Sequence, residues 1–548
     1  MLEQAAISPA NAQRRFLLEL LRRNAATVFG RQHGFASICT EPDYRRRVPI
    51  RDYEGFRPYI DRMTGGESMV LTASQPVMFT MTSGTTAEPK LVPVTRESQL
   101  IESALTRQWF YRALLDHPEF MDHDGIGIVS RAVEGFTASG IPYGSASGMT
   151  YKNIPWLIRR VQAIPYEACE ILDYDQRYFV MARFALGANV SFVATANPGT
   201  LIRLARTIAE HSSELVRAIH DGDTGVTSSR QRELFARLQT QLKPNPARAR
   251  LLGGILHQRG SLRPRDFWPM LRLIGCWVGG SVGMQTSRLA EYYGETAIRD
   301  LGYMASEGHF TVPSEDQTAR GTLALNSNYC EFIPIEQTEC SEPDVLSSHE
   351  LEDGKRYSIL LTTASGLYRY RINDIVEVAG HFKRAPLLAF VRKEGEMANI
   401  SGEKIHANQL QLAVDWARCK FDLSIEQFRV TPDYQKSRYE IFLEPGKEVS
   451  GSELQKFLVE VDRALSRFNI EYAQKRASRR LSAPCLHIMS RGWAERVHRQ
   501  MIVAGKRDTQ YKWQIILSER NPADENSIIY SIEAQSKNFT IRELGAAA

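Results

Sequence analysis

The chain has 548 residues, 43% hydrophobic and 24% charged, with 68 Lys and Arg against 63 Asp and Glu. That length exceeds what one hydrophobic core supports, so two or more domains are expected, and a formal charge of +5 on so long a chain leaves no footprint for nucleic acid. Seven dispersed cysteines without a C-x-x-C pair argue against a disulfide framework or zinc ribbon and fit reduced thiols.

Met1-Leu2-Glu3-Gln4 lacks the basic-then-apolar layout of a signal peptide. No stretch approaches the roughly 18 uninterrupted apolar residues of a membrane span. The expectation is a cytoplasmic protein with no membrane partner. In chain order, residues 11–29 carry Phe16, Leu17, Leu20 and Leu21 at helical spacing with arginines opposite, a predicted amphipathic helix closed by Gly30 and Gly34. Strand signal dominates residues 70–94, residues 102–115 read as helix and 126–129 as buried strand. Helical periodicity returns at 201–219 and 231–242. Residues 271–283 read as a buried strand entering a Gly-rich loop, with a helix at 286–293. Strands are expected at 357–362, 367–371 and 375–378.

This alternation predicts an α/β fold with buried β-sheets flanked by helices. The charged segment Arg392-Lys393-Glu394-Gly395-Glu396 marks a boundary. Beyond it, helices at 407–421 and 452–468 and strands at 428–430 and 439–443 form a smaller α+β unit. The expected organisation is a large N-terminal α/β domain at 1–392, a hinge at 393–396 and a C-terminal α+β domain at 397–548. Arg45-Arg46-Arg47 and residues 476–480 are expected on solvated faces or helix ends.

Several clusters carry chemistry. Thr82-Ser83-Gly84-Thr85-Thr86-Ala87-Glu88-Pro89-Lys90 lies between two β-like runs. Its hydroxyls can donate to oxyanions, Gly84 allows close backbone approach, and Lys90 adds a mobile point charge, which suits a polyphosphate. Pro89 and the β-rich Leu91-Val92 oppose the helix that a GxxxxGK[ST] loop would open. Tyr303-Met304-Ala305-Ser306-Glu307-Gly308, expected after a helix and at a strand end, offers a ring for a purine, a hydroxyl and a carboxylate for Mg²⁺. In Leu367-Tyr368-Arg369-Tyr370-Arg371-Ile372-Asn373-Asp374 the tyrosines and arginines alternate across a strand. That strand is expected to end in an Asn-Asp turn, with Asp374 suited to both hydroxyls of a ribose. Gly402-Glu403-Lys404 and Gln510-Tyr511-Lys512 place lysines beyond the hinge. Taken singly, these read equally as turns, a surface strand and solvated lysines. Their joint order is the signal.

That order resembles adenylate-forming enzymes, and more narrowly the Gretchen Hagen 3 (auxin-responsive) family of acyl acid–amido synthetases, auxin- and jasmonate-conjugating enzymes in plants and also present in bacteria. The resemblance spans nearly the whole chain. Besides the clusters above, Arg23-Asn24, residues 29–35, Val48-Pro49-Ile50, Tyr53-Glu54 and Pro58-Tyr59-Ile60 are similar to early family signatures. Asn373 stands where the family usually has Gly, Ala305 where Ser is frequent, and Trp513 where plant members continue with Thr/Val-Pro-Arg.

The resemblance implies an adenylate-forming fold, ATP and Mg²⁺ as cofactors, and a small carboxylic acid and an amine, an amino acid, as substrates. It assigns Thr82, Ser83, Gly84, Thr85, Thr86 and Lys90 to the phosphates, Tyr303 and Ser306 to the nucleotide, Glu307 to Mg²⁺, Asp374 to the ribose and Arg392 to the nucleotide at the hinge. Gly280, Ser281 and Val282 would line the acyl pocket, and Lys404 or Lys512 would meet the charge developing at the α-phosphate. A ligase that passes the acyl group to coenzyme A or a carrier thiol would share the adenylation residues. So would a non-catalytic nucleotide-binding relative, although that would have no chemical need to keep Lys90, Glu307 and Asp374 together.

Overall fold

A computed structural model describes residues 2–82, 90–226, 229–279, 283–395, 397–401, 403–503, 511–533 and 542–543. The chain divides into a larger unit of residues 1–391 and a smaller one that starts at Arg392. In the larger unit, Asp124–Gly127, Val190–Ala194, Leu273–Gly275 and Ala297–Arg299 form an all-parallel sheet in that order. Parallel pairing requires long crossovers, and these carry the helices Tyr174–Gly187, Pro198–Glu210 and Gly283–Tyr293 among others. The sheet is buried on both sides, so its strands read as apolar runs.

A second sheet pairs Pro76–Thr82 antiparallel to Lys90–Thr95 and parallel to Pro142–Gly144. Thr95 ends its strand and opens the helix Arg96–Asp116 without a loop, because its hydroxyl and Ser98 form a capping box. The third sheet has seven strands. Its central strand, Tyr370–Phe382, lies between Ala385–Lys393 and Arg356–Thr363.

Sequence periodicity overran two helix ends. The helix expected at 11–29 closes at Arg23, because Asn24 donates from Nδ2 to the Leu20 carbonyl (3.1 Å) and accepts the Ala73 amide at 2.8 Å. A separate helix follows at Val28–Gln32. The helix expected at 201–219 is two, Pro198–Glu210 and Ser212–Asp221, divided where Ser212 Oγ bonds back to the Ile208 and Ala209 carbonyls.

Arg45, Arg46 and Arg47 lie, as one of the two expectations had it, in the last turn of the helix Glu41–Arg47, and Arg476 in that of Ile470–Ala477, but Arg45 is also paired. Its guanidinium bonds Glu331, the Val345 carbonyl and Ser347 Oγ. Glu331, 1% exposed, also accepts from the buried Arg369 at 3.0 Å, so one carboxylate holds two cations inside the unit. Arg476 likewise makes two bonds to Asp462.

In the smaller unit, Ile425–Asp433, Arg438–Pro445, Cys485–Met489, Ile528–Glu533 and Arg542–Glu543 form a sheet in that order. The helices Ala407–Phe421 and Gly451–Phe468 lie against one another, the second opened by a Ser450/Glu453 capping box. Among the described residues no helix is long and apolar enough to cross a membrane. All seven cysteines are free.

Candidate active site

In the larger unit, residues that lie far apart in the sequence meet at one hairpin. Met304–Ala305 pairs with Gly308–His309, leaving Ser306 and Glu307 as a two-residue turn. As expected, a helix, Gly283–Tyr293, and the end of a strand, Ala297–Arg299, precede this cluster, and Gly302 follows with a left-handed φ. Gly302 has φ +98°, and a Cβ there would lie 2.3 Å from the Thr311 carbonyl oxygen, so only glycine fits. Its amide donates to Asp300 Oδ1 (2.6 Å) and its carbonyl accepts from Trp277 Nε1 (3.2 Å).

The other oxygen of Asp300 accepts the Val278 amide at 2.7 Å, so this carboxylate ties the segment entering residues 280–282 to the hairpin. Burial pushes the Asp300 carboxyl up to about 6 against the opposing pull of these backbone bonds. His309, on the hairpin's return strand, is held neutral by burial, its pKa down at about 4 despite its bond to the Thr311 carbonyl.

Tyr303 is 7% exposed, with its ring stacked on Phe390 and tilted against Phe310. Its hydroxyl donates to Asp374 Oδ2 at 2.7 Å. Burial, then the adjacent carboxylate, lifts this phenol well above the ordinary tyrosine range, so it stays a donor. Tyr370 makes a parallel link, its hydroxyl donating to Glu307 Oε1 at 3.2 Å. Two tyrosines therefore hold two buried carboxylates along one edge of the hairpin.

The expected Asn-Asp turn is not a strand end. Tyr370–Phe382 runs straight through it, and its pairing with Arg356–Thr363 slips between Ser358↔Ile375 and Leu360↔Arg371. Two extra residues thus bulge from the longer strand. Asn373 takes φ +61° in that bulge, which Asn tolerates, and stays exposed while Asp374 turns inward. Nor do the tyrosines and arginines alternate across one strand as expected: the strand starts at Tyr370, and Arg369, left-handed ahead of it, is buried on Glu331 and the Arg45 and Val48 carbonyls.

The phosphate-loop strands reach the same place. Thr80 Oγ1 donates to the Ser306 carbonyl at 3.2 Å. Thr82 pairs with Lys90 across the base of the loop, and the Lys90 ammonium lies 5.2 Å from the centre of the Tyr53 ring. Tyr53 also brackets Leu91, accepting its amide and donating to its carbonyl. Ser83, Gly84, Thr85 and Thr86, and likewise Gly280, Ser281 and Val282, lie outside the described residues. Thr80, Phe390 and Asp300 were missed in the sequence, because an isolated Thr, Phe or Asp carries no spacing signal.

In the smaller unit, Arg392 is buried and donates to the Lys393 and Glu394 carbonyls. Lys404 is exposed on a backbone held by Asn469 and Glu471. Beside it, Glu403 accepts from the Ile400 and Ser401 amides, Ser401 Oγ and Tyr439. Burial alone would raise this carboxyl, and these hydrogen bonds reverse the net shift downward. Lys512 is exposed next to Trp513, which is buried with Nε1 donating to the Phe428 carbonyl and Arg429 over its ring at 4.4 Å. The departure at Trp513 is therefore an anchor for the segment that carries Lys512.

Three family models match in succession: the GH3 family N-terminal domain over residues 1–298, the central domain over 321–393 and the C-terminal domain over 408–521. The chain belongs to the GH3 family. Among its relatives, the indole-3-acetic acid-amido synthetase GH3.2 of Arabidopsis thaliana is 25% identical over 76% of this chain and 79% of its own length. The jasmonoyl–L-amino acid synthetase JAR4 of Nicotiana attenuata is 26% identical over 91% and 90%. A solved GH3.15 acyl acid amido synthetase shares the fold with a TM-score of 0.84, at 20% identity, over 98% of this chain and 96% of that one. A 2-hydroxyisobutyryl-CoA ligase in the postadenylation state is a more distant fold match, with TM-score 0.53 at 12% identity over 94% and 92%. The chain thus shares its fold with both.

Proposed function

We propose that this GH3 member is an ATP-dependent acyl acid–amido synthetase, a ligase that forms a carbon–nitrogen bond. The observation that carries this reading is the presence of all three GH3 domains in order along one chain. A carboxylate oxygen of a small acid attacks the α-phosphorus of ATP, and the α–β anhydride bond breaks to release pyrophosphate. The amine of an amino acid then attacks the acyl carbon, the bond to AMP breaks, and the amine's proton leaves to solvent.

The residues fit that chemistry. Asp374, fixed by Tyr303, takes the ribose hydroxyls at the adenosine end of the site. Glu307, at a hairpin tip and fixed by Tyr370, supplies one carboxylate. One or two carboxylates suit Mg²⁺ held chiefly by phosphates and water. Bound there, Mg²⁺ would offset phosphate charge. Thr82 to Thr86 and Lys90 grip the phosphates, residues 280–282 line the acyl pocket, and positioning rather than covalent chemistry supplies the rate. Arg392 and the segment 393–396 act as the hinge on which the domain bearing Lys404 and Lys512 turns between half-reactions, excluding water from the adenylate. The odd, dispersed cysteine set fits a reducing compartment, the cytoplasm.

ATP–pyrophosphate exchange across a panel of carboxylic acids tests the first step, with exchange expected for at least one acid. Folded protein that exchanges with none refutes the reading. With the active acid, amino acids and coenzyme A are then supplied in parallel. Amide product is expected, and thioester alone would make the chain a thiol-directed ligase.

A further inference from the structure

The parallel sheet has a cavity at the end away from the hairpin. It measures about 280 Å³, and its wall includes Asp124 at the start of Asp124–Gly127, Arg183 and Gly187 at the end of the helix Tyr174–Gly187, and Arg160 and Lys243. Ligands of open α/β sheets gather at the carboxyl ends of the strands, which is where Asp300 and the Tyr303 hairpin follow Ala297–Arg299. This cavity lies at the opposite, amino ends of the same strands, and the proposed reaction makes no use of it.

The wall holds three cations and one carboxylate. Arg183 is 3% exposed, and its Nε donates to the Asp223 carbonyl at 2.9 Å. Among the described residues no carboxylate forms an ion pair with it. The helix-end carbonyls of Leu186 and the nearby Ala188 are taken by Arg248 instead. Burial draws the Arg183 pKa down to about 10, with Asp223 only partly opposing. A buried guanidinium without a paired anion is costly, and an anion entering the cavity in front of it would remove that cost. The Arg160 guanidinium rests over the Trp156 ring, and Lys243 is exposed. Arg183, Arg160 and Lys243 line one polar hollow, and guanidinium and ammonium groups match the oxygens of phosphate or carboxylate.

We infer that this cavity binds a small oxyanion, a phosphate or a carboxylate, between Arg183, Arg160 and Lys243. The test is thermal-shift titration of the full-length protein at constant ionic strength, with inorganic phosphate in one arm, succinate in the second and chloride as control. At least one of the two oxyanions should raise Tm saturably, and the responding arm identifies the ligand class. Arg183→Gln and Lys243→Ala should each weaken that response about tenfold or more, while Lys90→Ala, at the phosphate loop, should leave it intact. Lys243→Ala should also leave ATP–pyrophosphate exchange at the wild-type rate. Should Arg183→Gln fail to fold, the exposed Lys243→Ala and Arg160→Ala decide. The inference is overturned if neither oxyanion exceeds the chloride control, if the response survives in the cavity variants, or if it is lost only in Lys90→Ala.

Discussion

At the scale of single residues, the site rests on tyrosine hydroxyls that fix carboxylates. Tyr303→Phe keeps the packing on Phe390 and Phe310 and removes only the bond to Asp374. The expected result is a KM for ATP raised several-fold to tenfold with a small loss of Tm; an unchanged KM would show that the bond does not serve the nucleotide. Asp374→Ala is the harsher change, because it strands a buried phenol at about 1–3 kcal/mol, so its loss of exchange must be read beside its Tm. Two neighbours give opposite pH signatures. His309 stays neutral in the fold down to about 4 whereas the unfolded chain takes the proton at 6.5. The unfolded state therefore binds more protons between those values, and stability falls as pH drops, by on the order of 3 kcal/mol. Asp300, raised from 3.8 to about 6, binds its proton more readily when folded, so its contribution falls as pH rises through that window. Tm against pH from about 4 to 6.5 should therefore show wild type gaining on His309→Gln and losing to Asp300→Asn as pH rises. Parallel curves would dismiss both assignments.

At the scale of elements, the bulge in Tyr370–Phe382 places Asp374. Asn373 is exposed and left-handed, so Asn373→Gly should preserve Tm and exchange. Asn373→Val should cost about 1–2 kcal/mol for a branched residue in that region and lower exchange by displacing the adjacent Asp374; equal behaviour of the two variants in both assays would remove the bulge from the account. Sequence pattern found the segment 375–378 but began the other one three residues early, since 367–369 precede the strand and Arg369 is left-handed, and it missed the continuity from Tyr370 on. Two residues without a partner break the period-two alternation, and that break reads as a turn unless the neighbouring strand is known. Helix Ala407–Phe421 was legible to the residue, because a regular apolar stripe runs to its capped end. The stripe at 201–219 was equally regular, but its break is made by one serine's back-bonding, which periodicity does not register.

At the scale of the whole molecule, the two units carry different parts of the proposed chemistry. Glu307 and Asp374 lie in the larger, Lys404 and Lys512 in the smaller. Lys512→Ala should slow one half-reaction at least tenfold and spare the other, with the segment still held by Trp513. Single-turnover adenylation and aminolysis, measured separately beside Tm, check this, and equal rates to wild type in both would exclude a catalytic role. The sequence by itself determined the α/β class, the family and the order of the chemical clusters, because these rest on local residue types and their succession along the chain. Only the tertiary structure decided which groups are paired: Tyr303 with Asp374, Tyr370 with Glu307, Asp300 across Val278 and Gly302, Arg45 and Arg369 on one glutamate. The strands on either side of residues 83–89 gained their neighbours the same way, Thr80 at the Ser306 carbonyl and Lys90 at the Tyr53 ring. Pairing depends on which buried surfaces meet at long sequence separation, and no spacing along the chain encodes that.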